Sequence, residues 1–359
     1  MNEYGVKLAP HGKTTMAPKL FRRQLEGGAW GITVATAPQA LVAFRHGVPR
    51  VVLANLLVGR RNLEIVADML AAGAGRFELY CLVDSEDAVA ALGRFFRARG
   101  QNIDVLLELG PNGGRTGARD TAQEAATVNA IDAWSDAVSL AGIEVYEGVL
   151  KDEVEIRAFL RRAVSAVEQL ARDGKISRPR PILSGAGSAW YDVVADELGH
   201  VRGAMDVVLR PGCYLTHDVG IYRAAQARIE AGDAVAQRLG AGLQPALQLW
   251  AYVLSVPEPG RAVVGLGKRD AAFDAGYPEP ALHFRPGAEP RPAPTPAHWK
   301  VTGMMDQHAY LQVAAGDDIR VGDMLGFDIS HPCLTFDKWR QIALLDRDYC
   351  VIDLIQTFF

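Results

Sequence analysis

Eight short apolar runs constrain this chain more than any other feature of it. They lie at Val6–Ala9, Gly31–Ala35, Val51–Asn55, Phe77–Val83, Ile103–Leu109, Ile143–Gly148, Pro181–Ser184 and Val207–Arg210. Between most of them stand segments rich in Ala, Leu, Arg and Glu at helical spacing. From Glu153 to Arg172, for example, Ile156, Phe159, Leu160, Ala163, Val164 and Val167 share one face. Strands apolar on both faces, alternating with amphipathic helices, predict a parallel sheet covered by helices. Eight of them predict a closed (β/α)8 barrel, although an open doubly wound sheet has the same local pattern.

After about Leu243 the texture changes. The stretches "ALQLWAYVLSV", "RAVVGLG", "DIRVGDMLGF" and "YCVIDLIQTFF" read as strands, with turns at Pro257–Gly260, Gly316–Asp318 and His331–Leu334. The proline-rich "YPEPALHFRPGAEPRPAPTPAH" reads as a surface loop. The expected organisation is an α/β barrel over residues 1–242, followed by a C-terminal, mostly β domain over residues 243–359.

Bulk properties narrow the function. A net charge of −4 with no basic stripe argues against a nucleic-acid partner. No apolar run approaches the roughly 18–20 residues a membrane span needs, and the N-terminus lacks a signal-peptide pattern. Cys81, Cys213, Cys333 and Cys350 are scattered without a disulfide framework, so a cytoplasmic setting is expected.

Chemistry in a barrel gathers on the loops after the strands. Lys13, in "PHGKTT", lies just past the first run. After the seventh run comes Ser184-Gly185-Ala186-Gly187-Ser188, and after the eighth Arg210-Pro211-Gly212-Cys213-Tyr214. Small residues let backbone amides approach an anion, and barrels commonly hold phosphate at these two loops. A phosphate there, with a lysine at strand 1, points to a phosphorylated aldehyde held as a Schiff base, and pyridoxal phosphate is the obvious candidate. Arg115, in "GPNGGRTG", and Tyr146, in the sixth run, are candidates to contact its ring. In "SHPCLTF", His331 and Cys333 would share a face if the segment is extended, and imidazole with thiolate suits Zn²⁺. Asp306 and His308 form a further polar cluster. Each feature also has a plain structural reading: a turn, a core tyrosine, a buried histidine beside a buried cysteine.

Together, "PHGKTTMAP", "GAWGITVAT", "GGRTG", "SGAGS", "LRPGCY", "DQHAYL" and "SHPCLTF" resemble the D-serine dehydratase/D-threonine aldolase family of alanine-racemase-like pyridoxal-phosphate enzymes. The resemblance implies a barrel followed by a β domain, and a homodimer. It makes Lys13 the Schiff-base lysine and Arg115 a cofactor contact. The backbone of Gly187, Gly212 and Cys213, with Ser188, would hold the phosphate, next to Tyr214. His331 and Cys333 would bind a divalent metal, zinc first, with Mn²⁺ and Mg²⁺ as alternatives.

Three departures stand out. Ala9 replaces the family's arginine before Pro-His, and Gln307 replaces the glutamate of its Asp-Glu-His. Only twelve residues precede Lys13, so the barrel is expected to lack its usual N-terminal strand and helix. The implied reaction is dehydration of a small β-hydroxy D-amino acid to a 2-oxo acid and ammonia. The alternatives are an aldolase giving glycine and an aldehyde, and a non-catalytic cofactor-binding protein. A cysteine at position 333 matches the dehydratase pattern, because the family's aldolases usually carry a carboxylate there.

Overall fold

Mostly buried segments make the eight parallel strands, except the short first one, whose two residues are exposed and half-buried. These are β1 (Lys7–Leu8), β2 (Ile32–Val34), β3 (Arg50–Leu56), β4 (Glu78–Val83), β5 (Ile103–Leu109), β6 (Val138–Val145), β7 (Ile182–Gly185) and β8 (Asp206–Leu209). The computed structural model describes residues 1–240 and 242–359. It divides into two units, Met1–Lys13 with Pro18–Gly212, and Thr14–Ala17 with Cys213–Phe359.

In the first unit the strand order is β1-β8-β7-β6-β5-β4-β3-β2. The two edges meet. Trp30 N–H donates to the Leu8 carbonyl (2.7 Å) and Thr33 N–H to the Pro10 carbonyl (2.8 Å), and His11 bridges Thr33 in parallel. The sheet therefore closes as the expected barrel. Ala9, Val52, Tyr80, Leu82, Leu106, Ala141, Ile182 and Val208 form one buried cluster, contributed by or beside every strand but β2. It is a packed core, as barrels of this size require.

Helices α1 (Pro18–Glu26), α2 (Ala37–Arg45), α3 (Arg60–Gly73), α4 (Glu86–Ala98), α5 (Thr121–Ala133), α6 (Glu153–Arg172) and α7 (Tyr191–Gly199) return the chain between strands. Several carry side-chain caps that define their starts. Asp120 accepts from the Gln123 amide (2.9 Å) and Asp152 from the Glu155 amide (3.0 Å).

The second unit holds a seven-stranded antiparallel sheet. Its members are β9 (Gln248–Glu258), β10 (Arg261–Val264), β11 (Glu279–Phe284), β12 (Ala293–Pro294), β13 (Lys300–Met304), β14 (Ala309–Gln312) and β15 (Met324–Asp328), in the order β12-β11-β15-β9-β10-β14-β13. A separate hairpin pairs β16 (Gln341–Leu345) with β17 (Val351–Gln356). No helix among the described residues is long and apolar enough to cross a membrane.

Three boundaries differ from expectation. β6 begins at Val138 rather than Ile143; its register against β5 shifts between Val105 and Leu106, where Gly142 interrupts the apolar pattern. The proline-rich stretch is not all loop, because Glu279–Phe284 pairs with β15. A register shift between Pro280 and Leu282 accommodates the proline, which lacks a ladder donor. In "DIRVGDMLGF" only Met324 onward is strand.

Candidate active site

The C-terminal ends of the barrel strands gather most of the polar groups singled out above. Beyond β1, a 3-10 turn spans Gly12–Thr14. A Cβ on Gly12 would stand 2.7 Å from both Ile32 and Phe21, so only glycine lets the turn pack this closely. Lys13 sits in that turn with its side chain exposed and makes no hydrogen bond or ion pair among the described residues. Two residues earlier, the Nδ1 of His11 is buried without a partner. Burial, with Lys13, Arg210 and Arg115 nearby, holds His11 well below the usual imidazole range and therefore neutral.

Arg115 projects from the loop after β5 and lies over the Tyr146 ring, 4.7 Å from its centroid. The loop itself is pinned by Arg119, which donates to the carbonyls of Thr116 (2.6 Å) and Gly114 (2.8 Å). The two candidate ring contacts are thus brought together.

Beneath them runs a buried charged layer. Arg210, at the end of β8, donates to Ser184 Oγ (2.8 Å) and the Val145 carbonyl (3.2 Å), and ion-pairs with Glu144 on β6. Burial lowers the Arg210 pKa to about 10. Glu108 on β5 accepts from Thr116 Oγ1 (2.6 Å), and burial raises its carboxyl.

The glycine-rich loop after β7 has a more specific occupant than expected. Gly187, at φ +69°, is in the left-handed region that favours glycine. Its N–H donates to Glu147 Oε1 (2.6 Å), and the Ala186 N–H donates to Glu147 Oε2 (3.0 Å). A buried carboxylate thus already occupies the Gly187 amide that the sequence offered to a phosphate. The amides of Ser188 and Gly212 donate to nothing among the described residues. Glu147→Ala is expected to strand the Gly187 and Ala186 amides at about 1–3 kcal/mol each. A lowered thermal midpoint, with faster hydrogen exchange confined to this loop, is the measurable result.

In the second unit, Cys213 opens a 3-10 turn, Cys213–Leu215, that includes half-buried Tyr214. His331 and Cys333 do not lie on an extended segment. Pro332 is helical, and Cys333 begins the short helix α8 (Cys333–Phe336). The proline starts a helical turn where alternation predicts strand. The turn, rather than a pleat, places the two side chains near enough for each to shift the other's pKa. His331 Nδ1 is 2.8 Å from Asp274 Oδ2. Cys333 Sγ is 3.7 Å from Cys213 Sγ and 3.3 Å from Thr14 Oγ1. The nearness of Cys213, then that of His331 and Thr14, brings the Cys333 thiol down to about 4. Cys333 and Asp274 in turn raise His331 to about 9. Asp306 and His308 stand exposed on the turn between β13 and β14.

Sequence reasoning passed over His11, Glu144, Glu147, the Arg210 side chain and the thiol of Cys213. An acid or arginine embedded in an apolar strand run was the available signal, since such a group needs a buried partner.

A family model described as "Alanine racemase, N-terminal domain" matches residues 4–218, and one described as "Putative serine dehydratase domain" matches residues 246–345. The chain is 24% identical over 362 aligned residues to a D-threonine aldolase of Arthrobacter sp, covering 98% of this chain and 85% of that protein. It is 32% identical over 117 residues to the D-threo-3-hydroxyaspartate dehydratase of Delftia sp. (strain HT23), covering 33% of this chain and 30% of the relative. The crystal structure of D-threonine aldolase from Filomicrobium marinum matches with a TM-score of 0.79 at 23% identity, over 99% of this chain and 89% of that one. With residues 4–218 matched by the first of these models, the chain belongs to the alanine racemase N-terminal domain family, and its residues 246–345 carry the putative serine dehydratase domain match.

Proposed function

We propose that this protein is a pyridoxal-phosphate- and metal-dependent lyase that removes water from a small β-hydroxy D-amino acid, giving a 2-oxo acid and ammonia. The observation that carries it is Lys13, an exposed amine without a partner among the described residues, in the turn after the first barrel strand. The residues fit the cofactor: Lys13 for the aldehyde, Arg115 and Tyr146 for the ring, and the amides of Ser188 and Gly212, followed by Cys213 and Tyr214, for the phosphate. Gly187 contributes through Glu147, which holds its loop in shape, rather than through its own amide.

When bound, pyridoxal phosphate supplies the electron sink that stabilises negative charge at the substrate Cα. A divalent ion on His331 and Cys333, zinc by the softness of the thiolate, would supply Lewis acidity for departure of a β-hydroxyl. Lys13 Nζ would hold the cofactor's aldehyde and, when free, would take the proton from the substrate Cα. Neutral His11 adds no fourth positive charge to Lys13, Arg115 and Arg210. Asp274 orients His331.

The same reading assigns cofactor binding to residues 1–242 and metal binding to 243–359, with a homodimer in a reducing, cytoplasmic setting. D-Serine, D-threonine and β-hydroxy-D-aspartate are the substrates to try.

Aldol cleavage is the second reading, favoured by the near full-length similarity to the Arthrobacter aldolase. Product analysis on D-threonine separates the two. Dehydration gives 2-oxobutyrate and ammonia, whereas acetaldehyde with glycine would replace our reading by the aldolase. Chelation is expected to abolish either activity, and full turnover without metal would remove His331 and Cys333 from the mechanism.

A further inference from the structure

We propose that Cys213 and Cys333 form a modification site, joined as a disulfide by peroxide, and that this bond takes from Cys333 the sulfur a metal would use. The disulfide stands on geometry within the second unit. Its competition with metal rests on the reading of Cys333 as a ligand.

The two sulfurs are 120 positions apart in the chain and 3.7 Å apart in space, where either can donate to the other. Bringing them to the ~2.05 Å of a disulfide takes about 1.7 Å of movement. That movement is shared between two side-chain torsions, and it shortens a contact the structure already makes. The backbone on each side is fixed. The Cys213 carbonyl accepts from the amides of Thr216 (3.2 Å) and His217 (2.6 Å). The turn bearing Cys333 is held by Phe336 N–H on the Pro332 carbonyl (2.9 Å) and by Thr335 Oγ1 on the His331 carbonyl (3.1 Å).

The pair is also asymmetric. Cys333 is half-buried and open to a small oxidant, whereas Cys213 is buried behind it. A reachable thiol with a sheltered second thiol in contact is the arrangement of redox-sensing cysteines, because the second intercepts the first oxidation product. The other two cysteines lack it: Cys81 is buried in β4 and Cys350 is exposed, neither with a cysteine beside it among the described residues.

The chemistry needs hydrogen peroxide as the oxidant. The Cys333 sulfur attacks one oxygen, the O–O bond breaks, and water leaves a sulfenic acid behind. The Cys213 sulfur then attacks that sulfur; the S–O bond breaks, the S–S bond forms and a second water departs with the remaining thiol proton. Two thiols lose two electrons and one peroxide becomes two waters. A small thiol such as glutathione reverses the bond by exchange, as expected of a transient, regulatory disulfide.

Peptide mapping tests this on the unaltered full chain, freed of metal, treated with hydrogen peroxide and digested without reduction. The expected product is the peptide containing Cys213 linked to that containing Cys333, two hydrogens lighter than their sum and separated by dithiothreitol. In Cys213→Ser protein, Cys333 is expected to climb to sulfinic acid instead, because no second thiol intercepts it. Saturating zinc should slow the linkage in the unaltered chain at least about tenfold, since a metal-bound thiolate is withheld from attack. No linked pair in the folded chain, with Cys333 either untouched or over-oxidised, would overturn the disulfide and leave the metal reading standing. Linkage equally fast with zinc would overturn the competition, and with it Cys333 as a ligand.

Discussion

Lys13→Ala protein is expected to fold like the parent, to bind pyridoxal phosphate without forming the imine chromophore, and to lose turnover by on the order of 10⁴-fold or more. The two halves of that expectation have separate causes. Lys13 is exposed and makes no bond among the described residues, so its removal should alter stability by no more than about 0.5 kcal/mol. Its amine is assigned both the link to the aldehyde and the transfer of the Cα proton. Thermal midpoint and circular dichroism check the first half. Ammonia release, together with hydride reduction followed by peptide mapping of the parent, checks the second. Reduction that marks another lysine, or a Lys13→Ala enzyme with near-parent turnover, would refute the assignment.

Arg210→Met should lower stability by about 3–5 kcal/mol, the usual result of removing one partner from a buried ion pair. Arg210 and Glu144 are 3% and 2% exposed, and Glu144 Oε2 already lacks a partner. The substitution leaves Glu144 with no counterion and also strips a donor from Ser184 and from the Val145 carbonyl. Arg210→Met combined with Glu144→Leu is expected to regain most of the loss, because no unpaired charge is then buried. The urea midpoints of parent, single and double variants measure this. A double variant no more stable than the single one would place the cost in packing rather than in the stranded carboxylate.

Much of the barrel was legible because parallel strands covered on both faces must be apolar throughout, which marks them as local runs. The limits of that legibility are also physical. Val138–Ala141 was missed because the apolar pattern breaks at Gly142, where the register with β5 shifts. Glu279–Phe284 was hidden because proline content signals loop, and only pairing with β15 shows how the strand tolerates Pro280. Lys13, Arg115 and the His331–Cys333 pair could be picked out by residue type and by position after a run. The grouping of Cys333 with Cys213, 120 residues away, could not, nor could the hold of Glu147 on the loop carrying Gly187.

By itself the sequence determined the alternation of strand and helix, the change of texture near residue 243, and the residue types able to do chemistry, because these depend on neighbours a few positions apart. Only the tertiary structure decided that the sheet closes between β1 and β2, that Glu147 occupies the Gly187 amide, and that two thiols and an imidazole gather in the second unit. Those depend on contacts between distant segments, where burial makes an unpaired donor or charge costly and so dictates its partner.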